Sequence, residues 1–118
     1  MRLLKRQSVC LLGALSVTGM LQAAPAADEE QLALKRGCMN CHAIDAASGG
    51  GRKVGPYFVD VAKRYAGQSQ AVETVAERVQ SGSKGLWLNQ GVRVPMPRNP
   101  QVTKEEAQRL VAWILGLK

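Results

Sequence analysis

Apolar residues recur with the spacing of an α-helix near the end of the 118-residue chain. The stretch begins with a capping box, in which Thr103 and Glu106 can each satisfy a backbone N–H of the other. The apolar positions then follow at i, i+3, i+4 and i+7: Ala107, Leu110, Val111 and Ile114. Trp113 and Leu117 widen this face, which is typical of an amphipathic helix. We predict a C-terminal helix that needs a covering partner, and the first helix is the natural one.

A shorter helix is predicted from about Asp28 to Arg36. Asp28 and Gln31 have the spacing of a capping box, and carboxylates there suit the positive end of the helix dipole. Gly37 follows the helix. It either caps the helix or leaves room for a neighbouring helix to cross closely.

Two further helices are predicted in the middle of the chain. One covers 57–65 and ends before Gly67, and the next is N-capped by Ser69. The second carries apolar residues at helical spacing: Val72, Val75, Ala76 and Val79. The segment 46–53 is rich in Gly and Ser and is typical of a surface loop. Because no segment has a strong strand pattern, we predict an all-α fold.

The segment 1–23 has the organisation of a secretory signal peptide. Three basic residues precede the apolar run: Arg2, Lys5 and Arg6. The apolar stretch 8–21 holds 14 residues, whereas a membrane-spanning helix needs about 20. Cleavage is equally compatible with three positions, after Ala23, Ala24 or Ala26. The mature protein is then one small domain, 24–118, exported to the periplasm without a membrane anchor.

The chain is basic, since 16 Lys and Arg against 9 Asp and Glu give a net charge of +7. Loss of the three basic residues of the signal peptide leaves 13 against 9, or +4. The basic residues do not form a stripe interleaved with aromatics, so nucleic-acid binding is not indicated. A mild positive charge suits encounter with acidic protein surfaces instead.

The strongest chemical signal is the pentapeptide Cys38-Met39-Asn40-Cys41-His42, the sequence form of a c-type haem attachment site. Two thiols at this spacing can add to two vinyl groups on one porphyrin edge, and the adjoining imidazole can bind the iron. A zinc site would want four Cys or His ligands, yet Cys10 leaves with the signal peptide. A redox dithiol would be expected in a βαβ pattern, which the chain lacks. A structural dithiol is the main remaining alternative.

An iron bound by His42 has one axial position left. His42 is the only histidine, and Met39 lies within the attachment turn. Met1 and Met20 lie in the signal peptide. Met96 remains, and the prolines on both sides of it stiffen its loop. The sequence therefore predicts Met96 as the sixth ligand, the alternative being a methionine packed in a proline turn.

With these residues identified, the mature chain resembles the small class I cytochromes c of bacteria, of the cytochrome c-551 (c-552) group. Six segments carry the resemblance: Gly37-Cys38-Met39-Asn40-Cys41-His42-Ala43-Ile44-Asp45, Val54-Gly55-Pro56, Asp60-Val61-Ala62, Gly82-Ser83-Lys84-Gly85-Leu86-Trp87, Pro95-Met96-Pro97 and Glu106-Ala107-Gln108. The resemblance implies four to five helices around one covalently bound haem c.

Roles for four further residues follow from the resemblance. The backbone carbonyl of Pro56 would accept a hydrogen bond from the haem-binding histidine and orient it. Arg78 and Trp87 would contact the haem propionates, and Asn99 would donate its amide to the sulfur of the methionine ligand. Without the resemblance, the same residues are a helix breaker, a solvated charge, a core aromatic and a turn residue.

The function implied is that of a periplasmic carrier of single electrons rather than an enzyme. Its partners would be redox proteins, with a quinol-oxidising or dehydrogenase complex upstream and a nitrite reductase, peroxidase or terminal oxidase downstream. The carrier is expected to be monomeric. Two alternatives are an enzyme or gas sensor with a labile sixth ligand, and a subunit dedicated to one dehydrogenase or reductase.

Three features depart from the family pattern. Segments 46–53 and 88–93 look longer than in relatives. The second lies near the expected exposed haem edge, and its uncharged residues Leu88, Gly91 and Val92 would permit an apolar docking patch in place of a charged one. Ala33 stands where relatives often carry an aromatic against the last helix, so we expect a looser helix crossing.

Overall fold

The computed structural model describes residues 26–48 and 54–118. These ranges contain four α-helices: α1 (Ala26–Lys35), α2 (Phe58–Tyr65), α3 (Ala71–Ser81) and α4 (Lys104–Leu115). Two single 3₁₀ turns, Cys38–Asn40 and Leu88–Gln90, lie in the connections, and the described residues include no strand. The all-α prediction is therefore confirmed, whereas the predicted signal peptide and most of the Gly- and Ser-rich loop lie outside the described residues.

Helix α4 is the element on which the other three helices pack. Its four predicted core residues are all buried: Ala107, Leu110, Val111 and Ile114. The predicted capping box is present, because Glu106 N–H donates to Thr103 Oγ1 (3.2 Å) and Thr103 N–H donates to a Glu106 carboxylate oxygen (3.1 Å). The expectation that α1 is the partner of α4 was incomplete, since α3 makes the more extensive contact.

Two predicted helix starts are wrong. Helix α1 already includes Ala26, so Asp28 lies inside the helix rather than at its N-cap. Helix α3 is preceded by Gln70, one residue after the predicted cap Ser69. Gly37 has φ of +82°, a conformation that favours glycine. A Cβ there would meet only Asn40 at 3.3 Å, so Gly37 serves the turn rather than a close helix crossing.

The contact between α1 and α4 is tight. Ala33 and Ala107 have no exposed surface and belong to one buried cluster. Two ion pairs flank the crossing, Arg36 to Glu106 at 2.6 Å and Arg109 to Glu29 at 3.0 Å. The expectation of a looser crossing than in relatives stays a prediction, although the contact itself is fully buried at Ala33 and Ala107.

Among the helices that the structure describes, none combines the length and the apolar character needed to cross a membrane.

Candidate functional site

A cavity of about 280 Å³ opens between α2, α3, α4 and the loop that follows α3. Most of the side chains around it are apolar. Seven of the eight residues singled out in the sequence line this cavity: Cys38, Cys41, His42, Pro56, Arg78, Trp87 and Met96. The eighth, Asn99, does not. Residues that are far apart in the sequence thus line one apolar cavity.

The two cysteines lie on a tight turn at the edge of the cavity. Cys41 N–H and His42 N–H both donate to the carbonyl of Cys38, at 3.2 and 3.0 Å. Neither thiol is in a disulfide, and both are half-buried. Burial raises the pKa of the Cys38 thiol, because apolar surroundings disfavour the charged thiolate.

His42 is buried, and its ring is fixed in one orientation. Its Nδ1 lies 2.7 Å from the carbonyl oxygen of Pro56, the contact that the resemblance implies. A carbonyl can only accept, so Nδ1 carries the proton and Nε2 is left with a free lone pair. Burial lowers the pKa of His42, and the hydrogen bond to Pro56 partly opposes that effect. A neutral imidazole with a free Nε2 is the form that binds a metal.

The face of the His42 ring is packed between backbone and an aromatic ring. Phe58 stacks on it with ring centroids 5.1 Å apart. A Cβ placed on Gly55 would come within 2.6 to 3.0 Å of three ring atoms of His42. Only glycine lets the backbone lie this close. Gly55 and Phe58 therefore hold the His42 ring between them. The sequence indicated Gly55 only as part of Val54-Gly55-Pro56, one of the segments that carry the family resemblance.

Met96 is half-buried in the cavity wall, and the exposed prolines on either side of it also line the cavity. Its backbone is bonded to Ser83, which follows α3. Met96 N–H donates to Ser83 Oγ at 2.9 Å, and Ser83 N–H donates to the Met96 carbonyl at 3.1 Å. Sequence reasoning did not assign a role to Ser83, because nothing local in the sequence pairs two residues thirteen positions apart.

The two residues expected near haem propionates are each held by a residue of α2. Arg78 donates a hydrogen bond to the hydroxyl of Tyr65, which is buried and also lines the cavity. The guanidinium of Arg64 lies 4.5 Å from the centre of the Trp87 ring and donates to the Leu86 carbonyl at 3.1 Å. Neither partner on α2 was predicted from the sequence.

Asn99 is placed differently from the other seven residues. Its Nδ2 donates to the carbonyls of Val79 (2.9 Å) and Pro97 (3.0 Å). A side-chain amide has two hydrogens, so a bond to the Met96 sulfur would require one of these to break. The described geometry assigns Asn99 to tying its loop to α3, and the donation to sulfur is not part of it.

Exposed apolar side chains line the cavity, and exposed basic side chains flank the neighbouring Met96 loop. Val54 and Val94 line the cavity and are about half exposed, at 50% and 53%. Arg93 and Arg98 flank the Met96 loop and are exposed. Val92 is only 5% exposed and lines the cavity. The side chain of Val92 therefore belongs to the cavity wall and offers little surface to an apolar docking patch.

The chemistry of these residues fits a covalently bound haem. The cavity edge offers two thiols, and the walls offer an imidazole with a free Nε2 and a thioether, which together are the donors of a His/Met cytochrome. The remaining lining is apolar, as a flat porphyrin requires for burial. A guanidinium and an indole N–H at the same cavity supply donors for carboxylates.

Comparison with known proteins agrees with this fit. A family model described as Cytochrome c matches residues 26–118. The chain is 46% identical over 93 residues to cytochrome c2 of Rhodocyclus tenuis, covering 78% of this chain and 95% of that protein. It is 42% identical over 106 residues to cytochrome c-551 of Pseudomonas aeruginosa, with coverages of 88% and 92%. The crystal structure of Nitrosomonas europaea cytochrome c552 superposes with a TM-score of 0.65 and 35% identity, over 75% of this chain and 99% of that one.

Proposed function

Because this chain belongs to the cytochrome c family, in the class I c-551 group, and holds one covalent haem c, we propose that it is a periplasmic carrier of single electrons. In this proposal His42 and Met96 are the axial ligands of the iron, and Cys38 and Cys41 are the attachment points. The observation that carries the proposal is that these four side chains line one apolar cavity.

The haem supplies a reversible one-electron iron couple, and the protein residues keep its surroundings unchanged between the two states. Pro56 and Gly55 hold the imidazole of His42 in one orientation, and the proline-flanked loop holds Met96. Fixed ligands and an apolar wall keep structural rearrangement during electron transfer small. Thioether ligation and burial both favour the reduced state, so the reduction potential should be positive.

The two residues at the polar side of the cavity are proposed to bind the propionates. Arg78 offers a guanidinium that the Tyr65 hydroxyl holds in place, and Trp87 offers an indole N–H. A guanidinium is suited to carboxylates because it can donate two parallel hydrogen bonds. Arg78 would therefore neutralise charge that the apolar cavity otherwise disfavours, and Trp87 would add a hydrogen bond from a neutral donor.

The cellular setting is part of the proposal. The segment 1–23 has the pattern of a signal peptide, which would export the domain 24–118 to the periplasm. The relatives named cytochrome c-551 and c-552 support a role as an electron carrier and not an enzyme, and we propose that the carrier is monomeric. Its donor would be a quinol-oxidising or dehydrogenase complex, and its acceptor a nitrite reductase, peroxidase or terminal oxidase.

The variant Met96→Ala tests the ligand assignment. It should abolish the weak sulfur-to-iron absorption band of the ferric protein, lower the reduction potential and admit external ligands. Met39→Leu is the matched control, because Met39 is the other methionine downstream of the signal peptide and should not affect the band. Survival of the band in Met96→Ala would refute Met96 as the ligand.

Carbon monoxide tests whether the protein is a carrier at all. A stable bond between Met96 and iron leaves the spectrum of the reduced parent protein unchanged when the gas is added. Rapid binding of carbon monoxide by the parent would instead indicate a labile sixth position, as in a gas sensor or an enzyme.

A further inference from the structure

The residue that follows the C-terminal turn of α3 is unusually well connected to the methionine loop. Ser83 is only 8% exposed. Its N–H donates to the Met96 carbonyl at 3.1 Å, and its hydroxyl accepts from the Met96 N–H at 2.9 Å. Both backbone polar groups of Met96 are therefore hydrogen-bonded to Ser83. The Met96 N–H bonds to the Ser83 hydroxyl, and the Met96 carbonyl bonds to the Ser83 N–H.

Close approach at the neighbouring glycine makes this arrangement possible. A Cβ on Gly82 would lie 3.0 Å from the Met96 carbonyl oxygen, and Gly82 has φ of +96°. Gly82 N–H also donates to the Arg78 carbonyl at 2.8 Å, at the end of α3. The backbone at 82–83 is thus anchored to the helix on one side and touches Met96 on the other.

The prolines explain why such an anchor is needed. Pro95 and Pro97 cannot donate backbone hydrogen bonds, so Met96 carries the only N–H among the three central residues of the loop. A loop whose one available donor is bonded to a buried hydroxyl has its backbone position fixed at that residue. The side chain of Met96 then starts from a defined Cα.

We propose that Ser83 is the positioning residue of the sixth ligand: its hydroxyl holds the Met96 backbone so that the thioether stays in the cavity and resists displacement. The inference rests on the proposed function, because it takes Met96 as the ligand. The Ser83 hydroxyl acts through the Met96 backbone and does not reach the iron itself.

The test uses the holoprotein with Ser83→Ala, which removes the hydroxyl and keeps the backbone. We expect cyanide and imidazole to displace Met96 about two- to tenfold more readily, since a net hydrogen bond corresponds to a factor of that size. We also expect the sulfur-to-iron band to fade at a lower temperature than in the parent. Ser83→Thr restores a hydroxyl at this position and should recover most of the lost resistance.

Ser81→Ala is the matched control. Ser81 is the last residue of α3, two positions before Ser83, but it is exposed and its hydroxyl donates to the Glu77 carbonyl at 2.9 Å. In Ser81→Ala, the constants for displacement of Met96 by cyanide and imidazole should equal those of the parent. Equal constants in Ser83→Ala and the parent would overturn the proposal, as would the same loosening in Ser81→Ala or in Ser83→Thr.

The two proposals fail in distinguishable ways. If the band survives Met96→Ala, the ligand assignment itself fails. If Met96→Ala abolishes the band and Ser83→Ala leaves ligand displacement unchanged, only the role of Ser83 is refuted.

Discussion

At the scale of single residues, the site depends on how closely backbone can approach two side chains. Gly55 touches the face of the His42 ring, and Gly82 touches the carbonyl of Met96. The two proposed ligands are therefore each supported by a glycine that comes from elsewhere in the chain. A methyl group at either place would move a ligand instead of filling empty space.

Gly55→Ala should therefore be strongly disruptive. The added Cβ would lie 2.6 to 3.0 Å from three atoms of the His42 ring. The Phe58 ring is stacked on the same imidazole. Overpacking of this kind costs about 1–3 kcal/mol. We expect a lower yield of covalent holoprotein and a lower denaturant midpoint, measured by haem absorbance and by guanidinium unfolding.

Gly116→Ala provides the control for that substitution. A Cβ there would make ordinary contacts, at 3.4 and 3.6 Å, with carbonyls of the preceding turn of α4. Its φ of −84° is also accessible to alanine. Haem content and spectrum should match the parent, and a normal yield for Gly55→Ala would contradict the packing argument.

At the scale of elements, α4 organises the fold and its first turn is tied to α1. The Glu106 carboxylate accepts from Arg36 at 2.6 Å and from the Thr103 N–H at 3.1 Å. One side chain thus caps α4 and connects it to α1. The hydrogen bond from Arg36 is the main reason why the pKa of Glu106 lies below its usual value, with the Thr103 N–H contributing next.

This lowered pKa predicts a pH-dependent contribution to stability. A carboxyl whose pKa is depressed on folding stabilises the native state above its unfolded pKa, about 4.3 for Glu, and the contribution is lost as pH falls through the folded pKa. Glu106→Gln should therefore be less stable than the parent at pH 7. The difference should shrink steadily below about pH 5, as measured by urea unfolding across pH.

Glu105→Gln is the matched control for this prediction. Glu105 lies in the same first turn of α4 and is exposed. It should lose only a small interaction with the helix dipole. A parent-to-variant difference for Glu106→Gln that stays constant from pH 7 to pH 3 would show that the carboxylate charge is not what stabilises the contact.

What the sequence could predict follows from the range of the interactions. The capping box of α4 and the attachment turn are complete within a few consecutive residues, so their signals are local. The pairing of Ser83 with Met96 and the contact of Arg64 with Trp87 join positions 13 and 23 residues apart. Such pairs follow from the packing of whole helices, and no local pattern encodes them.

Two helix starts were predicted wrongly because cap preference by residue type is only a local signal. Asp28 and Ser69 are good N-caps by residue type, yet α1 already includes Ala26 and α3 starts after Gln70. Val92 lies in a segment that looks longer than in relatives, and the burial of its side chain in the cavity wall depends on tertiary packing that no local pattern encodes.

At the scale of the whole molecule, exposed apolar residues line the cavity and exposed basic residues flank the methionine loop beside it. Val54 and Val94 are half exposed at the cavity, whereas Arg93 and Arg98 flank the loop. Residues 24–118 carry a net side-chain charge of +4, from 13 basic and 9 acidic residues. This distribution suits a redox partner whose docking face is acidic around an apolar contact.

Electron transfer to such a partner should slow as salt is added. Ions screen exposed charges over about 8–10 Å at physiological ionic strength, which removes the attraction that speeds encounter. Arg93→Glu or Arg98→Glu should slow the second-order rate at low salt without changing the visible spectrum. Stopped-flow mixing with the partner over a range of ionic strengths measures both effects.

Lys104→Glu makes the same change in net charge at the start of α4. Unlike Arg93 and Arg98, Lys104 does not flank the Met96 loop, so this variant separates local from overall charge. The electron-transfer rate of Lys104→Glu should stay closer to that of the parent than the rates of Arg93→Glu and Arg98→Glu. A rate that is flat or rises with salt in the parent would mean that the docking contact is apolar.

The connection between α3 and the methionine loop also has a consequence for local opening. Ser83 N–H, Met96 N–H and Asn99 N–H are all bonded between the end of α3 and the loop. These amides should exchange their hydrogens with solvent as one cooperative unit, slower than exposed turns and faster than the core of α4. Loss of the thioether from the iron would then be gated by fraying of a helix end, so the slowest rate of ligand replacement should match the opening rate of these three amides.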